Sequence, residues 1–229
     1  MINLLKGDCI QLIETLEDES IDAIITDPPY NIAKENNFKS MGRAGIDFGE
    51  WDKGFDTIKW IEKAIPKVKK GGNIVIFADM RQFSPYITKL EELGCTFKDV
   101  IRMEKSNPIP RNRDRRFIFD TEYALYFVKN GDKWTFNRLD ENYERPLIKT
   151  SVTPKSQKIG KGHPTQKPLY AMEWLVERLT NEGDVVLDLF MGSGTTGAAC
   201  QKFNRDFIGC ELDEEYFLMA QKRLQYGLK

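Results

Sequence analysis

Short apolar runs alternate with stretches of helical spacing along most of the chain, the signature of an α/β fold built on a mainly parallel sheet. Ile21 to Thr26 predicts a buried strand, ended by Pro28 and Pro29. From Phe55 to Lys70 the spacing of Ile58, Ile61, Ala64, Ile65 and Val68 predicts a helix that stops at Gly71 and Gly72. Asn73 to Ala78 reads as a second buried strand. Arg81 to Leu93 suits a helix that holds Pro85 in its first turn and ends at Gly94. Strands around Thr96 to Met103 and Thr121 to Lys129 flank a loop, and between Gly131 and His163 the periodicity fades into polar residues. Order returns after Pro168: a helix to Thr180, a strand from Asp184 to Phe190, a glycine-rich turn, a helix to Phe203, a strand from Asp206 to Cys210, and a helix from Asp213.

A length of 229 residues allows one domain with an elaborated middle. Apolar residues at 41% and charged residues at 30% fit a soluble globular protein. No apolar run approaches the roughly 20 residues that span a bilayer, and the first residues lack the pattern of a secretory signal. A cytosolic protein is expected. Cys9, Cys95, Cys200 and Cys210 have neither zinc spacing nor disulfide density, so they read as reduced and structural. The net charge of -1 hides an asymmetry. Lys98 to Lys167 holds sixteen Lys or Arg against nine Asp or Glu, which suits a polyanionic partner as well as a merely solvated surface.

The sharper chemical signal is Thr26-Asp27-Pro28-Pro29-Tyr30, directly after a predicted strand, where ligands of open α/β sheets sit. Two prolines fix the backbone and remove two N–H donors, leaving a rigid turn rich in acceptors. Asp27 and the Pro28 carbonyl could each accept an N–H from a base amino group. Those bonds favour a pyramidal nitrogen, and Tyr30 could stack on the base. The bland alternative is a Pro-Pro turn capped by Asp27, with Tyr30 in the core.

The second signal runs from Asp188 to Gly197, again strand, tight turn and helix. Gly192, Gly194 and Gly197 satisfy G-x-G-x-x-G, which by itself would also fit a dinucleotide enzyme. Charge separates the two cofactors. Asp188, with Asp27 close by, is a poor neighbour for a pyrophosphate and a good one for a sulfonium and an ammonium, and S-adenosylmethionine carries both cations and no phosphate. Glu211, after the next strand, could hold a ribose diol. The bland alternative is a glycine turn with Asp188 as a local cap.

These residues resemble the amino-methylating DNA methyltransferases of the β order, in which a D-P-P-Y motif precedes the cofactor motif, as Asp27 to Tyr30 here precedes Asp188 to Gly197. His163 to Pro168 resembles that family's third marker. The chain is particularly similar to small adenine methyltransferases of restriction systems that modify GA-rich, asymmetric sites, including in its Phe48 to Asp52 and Asn107 to Asn112 segments. The resemblance implies a Rossmann-like fold with a seven-stranded, mostly parallel sheet and an antiparallel hairpin. It also implies one methyltransferase domain over 1–229, with a DNA-contacting, target-recognition insert at 105–162.

Carried over residue by residue, the catalytic set is Asp27, Pro28, Pro29 and Tyr30. The cofactor loop is Asp188, Phe190, Gly192, Ser193, Gly194 and Thr195, with Glu211 on the ribose hydroxyls. Asp8, beside Cys9, would contact the adenine end of the cofactor, and Lys167 the methionine carboxylate. The resemblance makes adenine N6 the expected target, because Asp at the position of Asp27 goes mostly with adenine and Ser with cytosine N4; the correlation is imperfect, so cytosine N4 stays open.

The expected activity is direct in-line methyl transfer to a base rotated out of double-stranded DNA, without a metal. Arg111, Asn112, Arg113, Arg115 and Arg116 are expected at the DNA, or else form a solvent-facing loop. A homodimer and a cognate restriction endonuclease are partners compatible with the resemblance, and a bacterial or phage source fits it. Methylation of RNA or of a protein amide remains a rival, although such enzymes usually carry Asn where Asp27 stands. A non-catalytic DNA-binding protein is a second rival, against which intact Asp27, Tyr30 and Asp188 argue.

Overall fold

A computed structural model describes residues 1–30, 55–108, 117–139, 141–151 and 166–226. Eight strands form one sheet: β1 (Ile2–Lys6), β2 (Ile21–Thr26), β3 (Val68–Ala78), β4 (Cys95–Lys105), β5 (Thr121–Lys129), β6 (Leu147–Thr150), β7 (Val185–Asp188) and β8 (Asp206–Glu211). Their spatial order is β1-β8-β7-β2-β3-β5-β4-β6. Neighbours run parallel except where β5 pairs with β3 and β4, so β5 is the reversed strand of the antiparallel hairpin.

Among the described residues, six helices cover the two faces: α1 (Cys9–Thr15), α2 (Lys59–Ala64), α3 (Phe83–Glu92), α4 (Leu169–Leu179), α5 (Thr195–Lys202) and α6 (Glu214–Tyr226). Because successive strand residues point to opposite faces, Ile25, Val75 and Phe77 pack with α4, α5 and α6. Ile24, Ile74 and Ile76 pack with α1, α2 and α3 on the other side. Buried on both faces, these strands read as continuous apolar runs. None of the helices among the described residues is long and apolar enough to cross a membrane.

The structure has eight strands where seven are expected. Neither β1 nor β6 stands out in the pattern, because both are short edge strands and β1 is partly exposed along its length. A second difference lies at residues 65–72. The expected helix ends at Ala64, a 3-10 turn follows at Ile65–Lys67 with Pro66 inside it, and the chain enters β3 at Val68. Gly71 and Gly72 therefore form an irregularity within a strand and do not stop a helix. Gly71 takes φ +76°, and a Cβ on Gly72 would stand 2.9 Å from the Asp22 carbonyl oxygen. The helix at Arg81 to Leu93 is as expected, opened by a capping box between Asp79 and Gln82 and followed by Gly94 at φ +79°.

Sheet order places the two motif strands side by side. β2 leads to β3 on one side and β7 leads to β8 on the other, so the β2–β7 junction is the topological switch point where a crevice opens. Five adjacent parallel strands each deliver a carboxylate to this edge, at or just beyond the strand's end: Asp8, Glu211, Asp188, Asp27 and Asp79. β5 runs the other way and contributes Glu122, near its beginning, to the same edge. The 105–162 stretch supplies β5 and β6 to the common sheet.

Candidate active site

The two motifs touch through one hydrogen bond. Thr26 Oγ1, on the last residue of β2, donates to Asp188 Oδ1 at 2.7 Å, and the Phe190 N–H donates to the same oxygen at 3.2 Å. Asp188 is buried. Burial pushes its carboxyl up to about 6, the nearby Asp27 charge adds to this, and the hydrogen bonds hold it back only in part. A buried carboxylate with no ion pair among the described residues is suited to receive a cation.

Asp27 is held from two sides. The Tyr30 hydroxyl donates to Oδ1 at 2.5 Å, and the Lys167 ammonium is paired with Oδ2. Burial first, then the charges of Asp27 and Glu122, keeps the Tyr30 hydroxyl well above its ordinary range, so it remains a donor. Lys167 Nζ also lies 3.3 Å from Glu122 Oε2, and the other Glu122 oxygen is paired with Lys105. Burial works against the Lys167 charge, but the two carboxylates outweigh it and raise its pKa. Burial alone would raise the Glu122 carboxyl; Lys167 and then Lys105 hold it below its ordinary value. The result is an alternating row, Lys105–Glu122–Lys167–Asp27, with no net charge. The faces of Phe77 and Tyr30 lie 4.9 and 5.7 Å from the Lys167 ammonium.

On the other side of Asp188, the glycine turn depends on backbone that side chains rarely adopt: Gly192 has φ +51° and Gly194 φ +75°. Glu211 straps this turn to the next one, accepting from the Gly192 N–H at 2.9 Å and the Asp213 N–H at 2.8 Å. Burial raises the Glu211 carboxyl above its ordinary value. Beneath the turn, Arg223 of α6 donates to Thr195 Oγ1 at 2.6 Å and lies 3.4 Å from Ser193 Oγ. Phe190 meets Phe55 and Trp60 edge to face, both at 5.4 Å between centroids, which packs its ring against the core beyond the end of β7. Asp8 caps α1 through the Ile10 N–H at 2.8 Å.

Residues 21–222 match the family described as DNA methylase. The chain belongs to the DNA methylase family. A Type II methyltransferase of Lactococcus lactis subsp. cremoris, M2.LlaDCHI, is 33% identical over 240 residues, covering 98% of this chain and 89% of its own. M.HpaI of Haemophilus parainfluenzae, also a Type II methyltransferase, is 34% identical over 245 residues, covering 96% of this chain and 73% of its own. Among solved structures, the M1.HpyAVI–SAM complex superposes with a TM-score of 0.78 at 42% identity, covering 98% of this chain and all of that one. The PvuII cytosine-N4-specific DNA methyltransferase shares the fold at a TM-score of 0.76 and 19% identity, over 97% of this chain and 86% of that one. This chain is thus a DNA methyltransferase with the α/β fold expected of it.

In this methylase the expected catalytic and cofactor residues that are described follow strand ends at one edge of the sheet. Lys167 stands with Asp27 and Glu122. The expected DNA-contacting residues Arg111, Asn112, Arg113, Arg115 and Arg116 lie outside the described residues, as do His163 and Phe48 to Asp52. Sequence reasoning missed Glu122, Lys105, Arg223 and the Phe55 and Trp60 neighbours of Phe190. Glu122 did leave a trace, as a carboxylate directly ahead of the apolar Tyr123 to Val128 run of β5. Arg223 left one too, as a cation beside Leu224 and one turn from Ala220 on the buried side of α6. All four cysteines are buried thiols. Burial pushes Cys9 and Cys210 up to about 12 and Cys95 to about 11, which leaves them poor nucleophiles near neutral pH.

Proposed function

We propose that the methylase modifies the exocyclic N6 of an adenine within a specific double-stranded DNA sequence, using S-adenosylmethionine. The observation that carries this reading is the joined pair of motifs: Asp27 and Asp188 at the ends of adjacent strands, linked through Thr26. The residues present fit the cofactor. Asp188 offers a buried carboxylate to a cation, the glycine turn lets a ligand approach its backbone, and Glu211 is poised beside it for a diol.

When bound, S-adenosylmethionine would supply an electrophilic methyl group to the amino nitrogen of a base turned out of the duplex: the N–CH3 bond would form in line as the S–CH3 bond breaks, S-adenosylhomocysteine would leave, and the extra proton on nitrogen would be lost to solvent. Asp27 and the Pro28 carbonyl accept the amino hydrogens. The rigid Pro28-Pro29 backbone fixes the Pro28 carbonyl before the base arrives, so that acceptor needs no reorganisation as positive charge grows on nitrogen. Tyr30 stacks on the base and orients Asp27 through its hydroxyl. Gly192, Ser193, Gly194, Thr195 and Phe190 line the cofactor, while Asp8 and Cys9 close the adenine end.

DNA runs across the basic middle of the chain, with the 105–162 stretch as its target-recognition part. Arg111, Asn112, Arg113, Arg115 and Arg116 meet phosphates and base edges, and the exposed Phe117, Ile118 and Phe119 that follow extend that surface. Asp27 at the head of the D-P-P-Y motif supports adenine over cytosine. A restriction-modification setting, with a cognate endonuclease and a second copy of this chain as partners, belongs to the same reading.

The test is labelled-methyl transfer to unmodified genomic DNA, followed by digestion to nucleosides. N6-methyladenine is expected, and N4-methylcytosine would overturn the choice of base. Asp27→Ala is expected to lower transfer at least about 10³-fold with cofactor affinity retained; substantial turnover would remove Asp27 from the reaction.

A further inference from the structure

The acceptor proposed for the substrate amine is already engaged. Lys167 places an N–H donor on Asp27 Oδ2, with the Tyr30 ring on one side and the Phe77 ring on another. The Tyr30 hydroxyl occupies the other oxygen. A base amino group stacked on Tyr30 and bonded to Asp27 therefore competes with the ammonium for one carboxylate.

The ammonium has a second carboxylate within reach. Glu122 Oε2 is 3.3 Å from Nζ, and Lys105 holds the opposite oxygen of that carboxylate, so Glu122 is fixed with one oxygen directed at Lys167. Withdrawing an ammonium from a buried partner and leaving both charges unpaired is strongly unfavourable. A short shift from one carboxylate to another keeps the ammonium paired throughout. The anion left exposed is Asp27, the group that meets the incoming N–H.

We propose that Lys167 stands in for the substrate amine before the target base enters and is handed from Asp27 to Glu122 as it does. Glu122 is then a positioning residue. It touches neither base nor cofactor and acts by accepting the lysine, which frees Asp27 Oδ2 for the base. The closer contact is with Asp27 because Lys105 already neutralises Glu122, so the resting state protects the catalytic carboxylate and the handover waits for a competing donor. No bond is made or broken and no proton changes owner. The inference rests on the assignment of Asp27 as the amine acceptor.

A double-mutant cycle on the full chain tests it. Single-turnover transfer of labelled methyl to unmodified genomic DNA is timed at saturating cofactor, with cofactor affinity and melting temperature measured on the same preparations. Glu122→Gln is expected to slow transfer about tenfold to a hundredfold, with cofactor affinity unchanged, and Glu122→Asp to recover most of the rate. In a Lys167→Met background, Glu122→Gln is expected to cost nothing further, since there is no ammonium left to receive. Losses that multiply, or a Glu122→Gln enzyme of normal rate, would overturn the handover.

If Lys167→Met is too slow to time, structures with and without a bound target oligonucleotide decide. Nζ on Glu122 in the complex supports the proposal, and Nζ still on Asp27 refutes it. Failure of the underlying assignment looks different: Asp27→Ala would then remain active, whatever Glu122 does.

Discussion

Asp188 gives the site a measurable signature at the scale of a single residue. Its carboxyl is pushed up to about 6, mainly by burial, and a bound cation would lower it again. Binding must then expel a proton whenever the pH is below the free value. Affinity for S-adenosylmethionine is therefore expected to be level above pH 6 and to fall by up to about tenfold per unit below it. Burial raises the Glu211 carboxyl in the same direction. Calorimetry from pH 5 to 8 measures this directly, and Asp188→Asn should bind weakly at every pH with a flatter profile. An unchanged slope in that variant would remove Asp188 as the group that titrates.

At this scale the sequence was legible where a residue's type matched its place on a strand. Asp27, Asp188 and Glu211 follow apolar runs, and all three lie at the expected edge. Lys167 was harder to read because its partners are 140 and 45 residues distant in sequence, and only the packing of β5 beside β3 brings Glu122 there.

Among the elements, α5 shows why the third glycine of the turn motif is needed. A Cβ on Gly197 would stand 2.8 Å from Leu224 Cδ1 and 2.8 Å from Phe207 Cε1, so α5 packs against α6 and β8 with no room for a methyl group. Gly197→Ala is expected to cost about 1 to 3 kcal/mol, which at this length is a fall in Tm of roughly 2 to 4 °C per kcal/mol. Calorimetric melting measures it, and a variant that melts with the parent would mean that α5 shifts freely. Helices with clear stops were legible, as α3 and α4 show. Residues 65–72 were not, because Ile65 and Val68 satisfy the helical spacing while Pro66 and the pairing of Val68 with Ile21 impose an extended chain. The short β6 was hidden for another reason: its four residues gain their order by pairing with β4, a contact that local pattern does not encode.

For the whole molecule, charge separation makes a prediction about DNA. If Arg111, Arg113, Arg115 and Arg116 each neutralise a phosphate, removing one should lower affinity on many sequences alike. The slope of log affinity against log salt should flatten by roughly 0.9. Filter binding over a salt series checks this, and an unchanged slope would place that arginine away from the backbone. The sheet has a consequence of its own for how the enzyme comes into being. β1 pairs along its length with β8, and the Gly7 N–H reaches the Glu211 carbonyl at 3.0 Å, so β1 meets its sheet partner among the described residues only after some two hundred further residues have left the ribosome. Loop closure over such a span is slow to reward, and the glycine turn lacks its Glu211 strap until the same moment. A nascent chain is thus expected to hold a finished β2–β3 unit but no cofactor pocket, keeping the enzyme chemically silent until synthesis has passed β8.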